Sequence, residues 1–89
     1  MRLKKGWTLT ELAGGYVAVP AGESAQNFYG IVRLNETGRD IWEGLENGLS
    51  ETDIAKKIVE LYDGVDWNQA QKAVKNVVDK LADEGLLEE

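Results

Sequence analysis

The chain has 89 residues, no cysteine, no histidine and a formal net charge of −6. That fits one domain, 1–89, with a modest core, and it excludes disulfides, Cys/His zinc sites and nucleophilic pairs that need a thiolate or an imidazole base. The remaining carboxylates are spread along helix faces at the spacing of solvated surfaces, so neither an enzyme active site nor a cofactor is expected.

The acidic balance also argues against a nucleic-acid partner, because phosphate binding draws on basic patches. No apolar segment follows the basic "MRLKK", and no apolar run approaches the roughly 20 residues of a bilayer span. No membrane partner is expected, and the cytoplasm is the expected compartment.

The first third reads as strands. "WTLTEL" alternates apolar and polar side chains as a half-buried strand does, "AGG" supplies a turn, and "YVAVP" follows, closed by the only proline. "AGESAQN" is a polar loop, and "FYGIVRL" is the third predicted strand. In it Phe28, Val32 and Leu34 point one way while Tyr29, Ile31 and Arg33 point the other, and Gly30 crowds nothing approaching the sheet. Such short connections predict an antiparallel meander.

From Asn35 the periodicity becomes helical. Asn35 is an N-cap, Leu34, Ile41, Trp42 and Leu45 form one apolar stripe, and Gly48 closes the helix. Ser50 caps the next helix, with Asp53 three positions on, Leu49 and Ile54 placed as a hydrophobic staple, and Ile54, Ile58 and Leu61 as its apolar face. Gly64 is expected to stop it. Asp66 and Gln69 then form a capping box, Val65 and Ala70 a second staple, and Trp67, Ala70, Val74, Val77, Val78 and Leu81 a broad buried stripe. Gly85 ends this helix, and "LLEE" folds back apolar side first. The order is α+β: a three-stranded antiparallel sheet followed by three helices.

The segment "LNETGRDIWEGLENGLSETDIAKKIVELYDGVD" resembles the core of the PqqD family of peptide chaperones, named from pyrroloquinoline quinone biosynthesis. The residues that carry the resemblance are Leu34, Asn35, Thr37, Ile41, Trp42, Gly48, Asp53, Ile54, Tyr62, Val65 and Asp66, with "LADEGLLEE" as the family's usual ending. It implies a winged helix-turn-helix fold and a recognition module that binds the leader segment of a ribosomally made precursor peptide. Such modules deliver the leader to a modifying enzyme, often a radical S-adenosylmethionine enzyme. They typically take it up as an extra strand beside the third strand, over a groove walled by the third helix.

Strand addition needs an unpaired sheet edge, an adjacent groove and side chains that read alternate guest positions. The edge candidates are Phe28, Tyr29, Gly30, Ile31, Val32 and Arg33, and the groove wall is the shoulder formed by Gln69, Ala73, Asn76, Val77 and Lys80. Lys80 and Arg33 would face an acidic residue of the leader. The acidic face of Glu36, Asp40, Glu43 and Glu46 is a candidate surface for the partner enzyme. Pairing of two third strands would make a homodimer in place of a monomer.

Two other readings share the topology. A winged-helix DNA-binding regulator would use Gln69, Gln71, Lys72, Lys75, Asn76 and Lys80, but Asp66, Asp79, Asp83 and Glu84 share that region and cancel the positive field. A structural adaptor would hold an enzyme and bind no peptide.

Overall fold

The computed structural model describes residues 2–20 and 32–88. Strands β1 (Arg2–Leu3), β2 (Trp7–Leu12), β3 (Gly15–Pro20) and β4 (Val32–Leu34) precede helices α1 (Glu36–Glu46), α2 (Glu51–Leu61) and α3 (Trp67–Asp83), and β5 (Leu87–Glu88) closes the chain. The expected three-stranded antiparallel sheet is present, in the order β2-β3-β4, followed by the three expected helices.

The β2–β3 turn has two residues, Ala13 and Gly14, both at positive φ, as a hairpin that follows the right-handed strand twist requires. Register places Trp7 and Leu9 of β2, Tyr16 and Ala18 of β3, and Val32 and Leu34 of β4 on the face toward the helices. Arg33 pairs with Val17 on the opposite face and is exposed.

The helix boundaries follow from local chemistry. Asn35 Oδ1 accepts from the Gly38 amide at 2.8 Å, Ser50 Oγ from Asp53 at 3.1 Å, and Asp66 Oδ1 from Gln69 at 2.8 Å. The Asp66 box is reciprocal, because the Gln69 side chain accepts from the Asp66 amide at 3.0 Å. Gly48 and Gly85 sit at positive φ just past α1 and α3, as expected of C-terminal glycines. α2 ends earlier than Gly64 suggests: it stops at Leu61, Tyr62 is its extended C-cap, and Gly64 supplies positive φ in the turn that follows.

One core joins the sheet to the helices. Ala18, Val32, Ile41, Trp42, Leu45, Ile54, Ala55, Ile58, Ala70, Val74, Leu81 and Leu86 are each at most 1% exposed. Leu61 and Trp67 depart from the expected apolar stripes, at 60% and 39% exposed. They stand at the last position of α2 and the first of α3, where each stripe runs past the elements that cover it.

Two interior glycines of α1 set how closely it packs. A Cβ on Gly44 would stand 2.7 Å from Ile54 Cγ1, and one on Gly38 would stand 2.9 Å from Leu34 Cβ. The tail folds back as expected, with Leu86 fully buried. Beyond expectation, β5 pairs antiparallel with β1, and the Lys4 amide bonds the Leu86 carbonyl at 2.8 Å.

Candidate functional site

Among the described residues, β4 has a neighbouring strand on one side only, β3. In an antiparallel pair the residues alternate between those bonded to the partner strand and those whose backbone groups point away from it. Arg33 is of the second kind. Its carbonyl accepts a hydrogen bond from Lys80 Nζ at 2.7 Å, across 47 residues of sequence. That bond fixes which part of α3 stands opposite the open edge.

The shoulder of α3 containing Lys80 is the one that the sequence singles out. At 100° per residue, Asn76, Gln69, Lys80, Ala73 and Val77 follow one another around an arc of about 100°, beside the buried stripe of Ala70, Val74, Val78 and Leu81. Ala73 and Val77 are half-buried and packed against the core, while Gln69, Asn76 and Lys80 are exposed. The Gln69 side-chain oxygen is occupied by the capping box, which leaves its NH2 group to meet a ligand. On β4, Val32 is committed to the core at 1% exposed, so its side chain reads nothing, whereas Arg33 is exposed. Phe28, Tyr29, Gly30 and Ile31 lie outside the described residues.

What this arrangement offers chemically is an outward-facing backbone position, a helix wall with a small residue at Ala73, and two cations. The ion pairs among the described residues are Arg2–Glu88 and Arg39–Asp40, so neither Arg33 nor Lys80 has a carboxylate partner among them. No group of three or more His, Cys, Asp or Glu side chains among the described residues is placed to hold a metal ion. None of the described helices is long and apolar enough to cross a membrane.

A polar chain that the sequence did not disclose holds α1 in place. Arg39 lies 5.2 Å over the Tyr16 ring and pairs with Asp40 at 3.0 Å, and the Asp40 carboxylate also accepts from the Tyr62 hydroxyl at the end of α2. Burial and then the Asp40 hydrogen bond push the Tyr62 hydroxyl up to about 12. Asp40 therefore does not belong to the free acidic face expected of it. Its side chain is only 12% exposed, while Glu36, Glu43 and Glu46 are exposed. Spacing along a helix gives no signal for a bond to a residue 22 positions away.

A surface cleft of about 600 Å³ lies elsewhere, between residues 2–7 and the end of α1. Cavity volume ranks sites for compact ligands, whereas a guest strand uses an open backbone edge. For this reason the edge is the better candidate.

The chain matches the family described as Coenzyme PQQ synthesis protein D (PqqD) over residues 10–87, and it belongs to that family. No curated protein matches it in sequence. Two solved structures share its fold. One is TbiB1 in complex with the TbiA(beta) leader peptide, with a TM-score of 0.76 at 22% identity, covering 99% of this chain and 95% of that one. The other is lasso peptide synthetase B1 complexed with the leader peptide, with a TM-score of 0.73 at 22% identity, covering 96% of this chain and 93% of that one.

Proposed function

We propose that this chain, acting as one domain, binds the leader segment of a ribosomally synthesised precursor peptide by β-strand addition and presents it to a modifying enzyme. It performs no chemistry itself. The observation that carries the reading is the outward-facing backbone of Arg33, set against the Gln69–Lys80 shoulder of α3. An added strand draws register and much of its affinity from main-chain bonds, and its alternate side chains are read by the adjoining wall. Family membership and the likeness to two proteins solved with leader peptides support the same reading.

The partner enzyme, of which a radical S-adenosylmethionine enzyme is the expected type, would find a docking surface at Glu36, Glu43 and Glu46, now without Asp40. A chain that handles newly translated peptide would work in the cytoplasm. The acidic net charge continues to weigh against DNA.

The test is a titration of the isotope-labelled protein with a synthetic leader from a small open reading frame encoded beside it, followed by NMR at the backbone amides. Shifts concentrated at Val32–Leu34 and along Gln69–Lys80 are expected. Unperturbed spectra with that leader, at peptide concentrations that saturate weak sites, count against the reading. Arg33→Pro removes one outward N–H, a substitution that edge strands tolerate. It is expected to weaken leader binding at least about tenfold while the fold is kept, since it deletes a main-chain bond and leaves a guest carbonyl unpaired. Undiminished binding by a folded Arg33→Pro variant would sink strand addition at this edge.

A further inference from the structure

We infer that Lys80 is a removable guard on the β4 edge, and that its removal makes the site selective for a leader bearing a carboxylate on the helix-facing side of the added strand, next to the position across from Arg33. The inference rests on the leader-binding reading above and adds to it a regulated edge and a charge preference.

An open strand edge is a template for any extended chain, and natural sheets protect such edges, often with lysine. Here the protection is a specific contact. The Lys80 ammonium donates to the Arg33 carbonyl at 2.7 Å, the distance of a charge-assisted bond. A guest strand needs that carbonyl as an acceptor for its own amide. The carbonyl has a second lone pair, but an ammonium held at bonding distance on the outer side occupies the space a guest backbone would enter. Strand addition therefore moves Lys80 aside.

The displaced ammonium requires a new acceptor. Asp79, Asp83 and Glu84 are close to it in sequence, yet none of them pairs with it, and among the described residues Arg33 is likewise without a carboxylate. Two cations thus flank one backbone position of a protein whose net charge is −6. A guest carboxylate at the neighbouring position, whose side chain falls on the helix-facing side, would take up the ammonium as the main-chain bonds form. A neutral guest would leave it to water, which an exposed lysine tolerates at small cost. Exposed ion pairs are weak, so the preference expected is about two- to fivefold and falls with added salt.

The test uses two synthetic forms of the adjacent leader, one native and one with its Asp and Glu residues changed to Asn and Gln, against the wild type, Lys80→Ala and Lys80→Arg. In the free protein, Lys80→Ala is expected to shift the carbonyl carbon resonance of Arg33. In titrations the wild type and Lys80→Arg are expected to prefer the acidic peptide, by about two- to fivefold for the wild type. Lys80→Ala should lose most of that preference and bind the amide form more tightly than the wild type does. An unmoved Arg33 carbonyl, or a preference undiminished in Lys80→Ala, overturns the guard while leaving leader binding intact. If neither peptide perturbs Val32–Leu34 in any variant, the leader-binding reading falls, and the guard's selective role falls with it.

Discussion

Two seams of this molecule are closed in different ways. Where α1 meets α2, Gly44 lets Ile54 approach so closely that a methyl group would collide with it, and the contact is apolar and buried. Where α3 faces β4, one exposed ammonium reaches one exposed backbone carbonyl. Burial of apolar surface contributes about 25 cal/mol per Å², whereas an exposed charged contact contributes at most about 1 kcal/mol. The first seam is scaffold and resists opening. The second can open at little cost to the fold, as the strand addition proposed above requires.

The comparison is tested most severely by Ile54→Ala, which removes a side chain that is 1% exposed from the tight seam. It is expected to cost about 2–5 kcal/mol in urea unfolding, a large part of what so small a domain has. A loss below about 1 kcal/mol would mean that the seam is loose.

Tyr62→Phe comes next. It removes the bond from the end of α2 to Asp40 and should cost about 1–2 kcal/mol near neutral pH. Its pH dependence sharpens the test. The folded-state value of the Tyr62 hydroxyl is raised from 10.0 to about 12, so the protonated form is favoured by folding. The contribution is complete below about pH 10 and is lost as pH rises toward 12. Chemical unfolding across that range should show a fall in stability that Tyr62→Phe flattens.

Gly44→Ala sets two terms against each other. Helix propensity favours alanine by about 1 kcal/mol, but the added Cβ would meet Ile54 Cγ1 at 2.7 Å, and a β-branched side chain in a helix has little rotamer freedom with which to withdraw. Overpacking of this kind costs about 1–3 kcal/mol, so a net loss of about 1 kcal/mol is expected. An unchanged or raised melting temperature would show that the seam yields. Lys80→Ala should have the smallest effect on stability, within about 0.5 kcal/mol. A larger loss would make the second seam scaffold as well.

The helical half is legible in detail in the order of its residues. Caps at Asn35, Ser50 and Asp66 and stops at Gly48 and Gly85 act within about four residues, so chain order records them directly. The same holds for the β2–β3 hairpin and for the alternation that buries Val32 and Leu34 while exposing Arg33. Even the α3 shoulder was legible, because it is what remains beside the apolar stripe. The two glycines inside α1 were an available signal, since glycine within a helical pattern often marks a close approach.

The remaining features depend on contacts between elements far apart in the chain. The β1–β5 pairing joins residues from opposite ends of the chain, and the Tyr62–Asp40 and Lys80–Arg33 bonds span 22 and 47 residues. The exposure of Leu61 and Trp67 depends on where neighbouring elements end, not on the pattern of their own helices. Periodicity states which face of an element is apolar, but which partner meets that face, and at what offset, is set when all the elements pack together. For that reason Lys80 could be read from the sequence as a groove residue, and only the fold placed its ammonium on the backbone of the edge it stands beside.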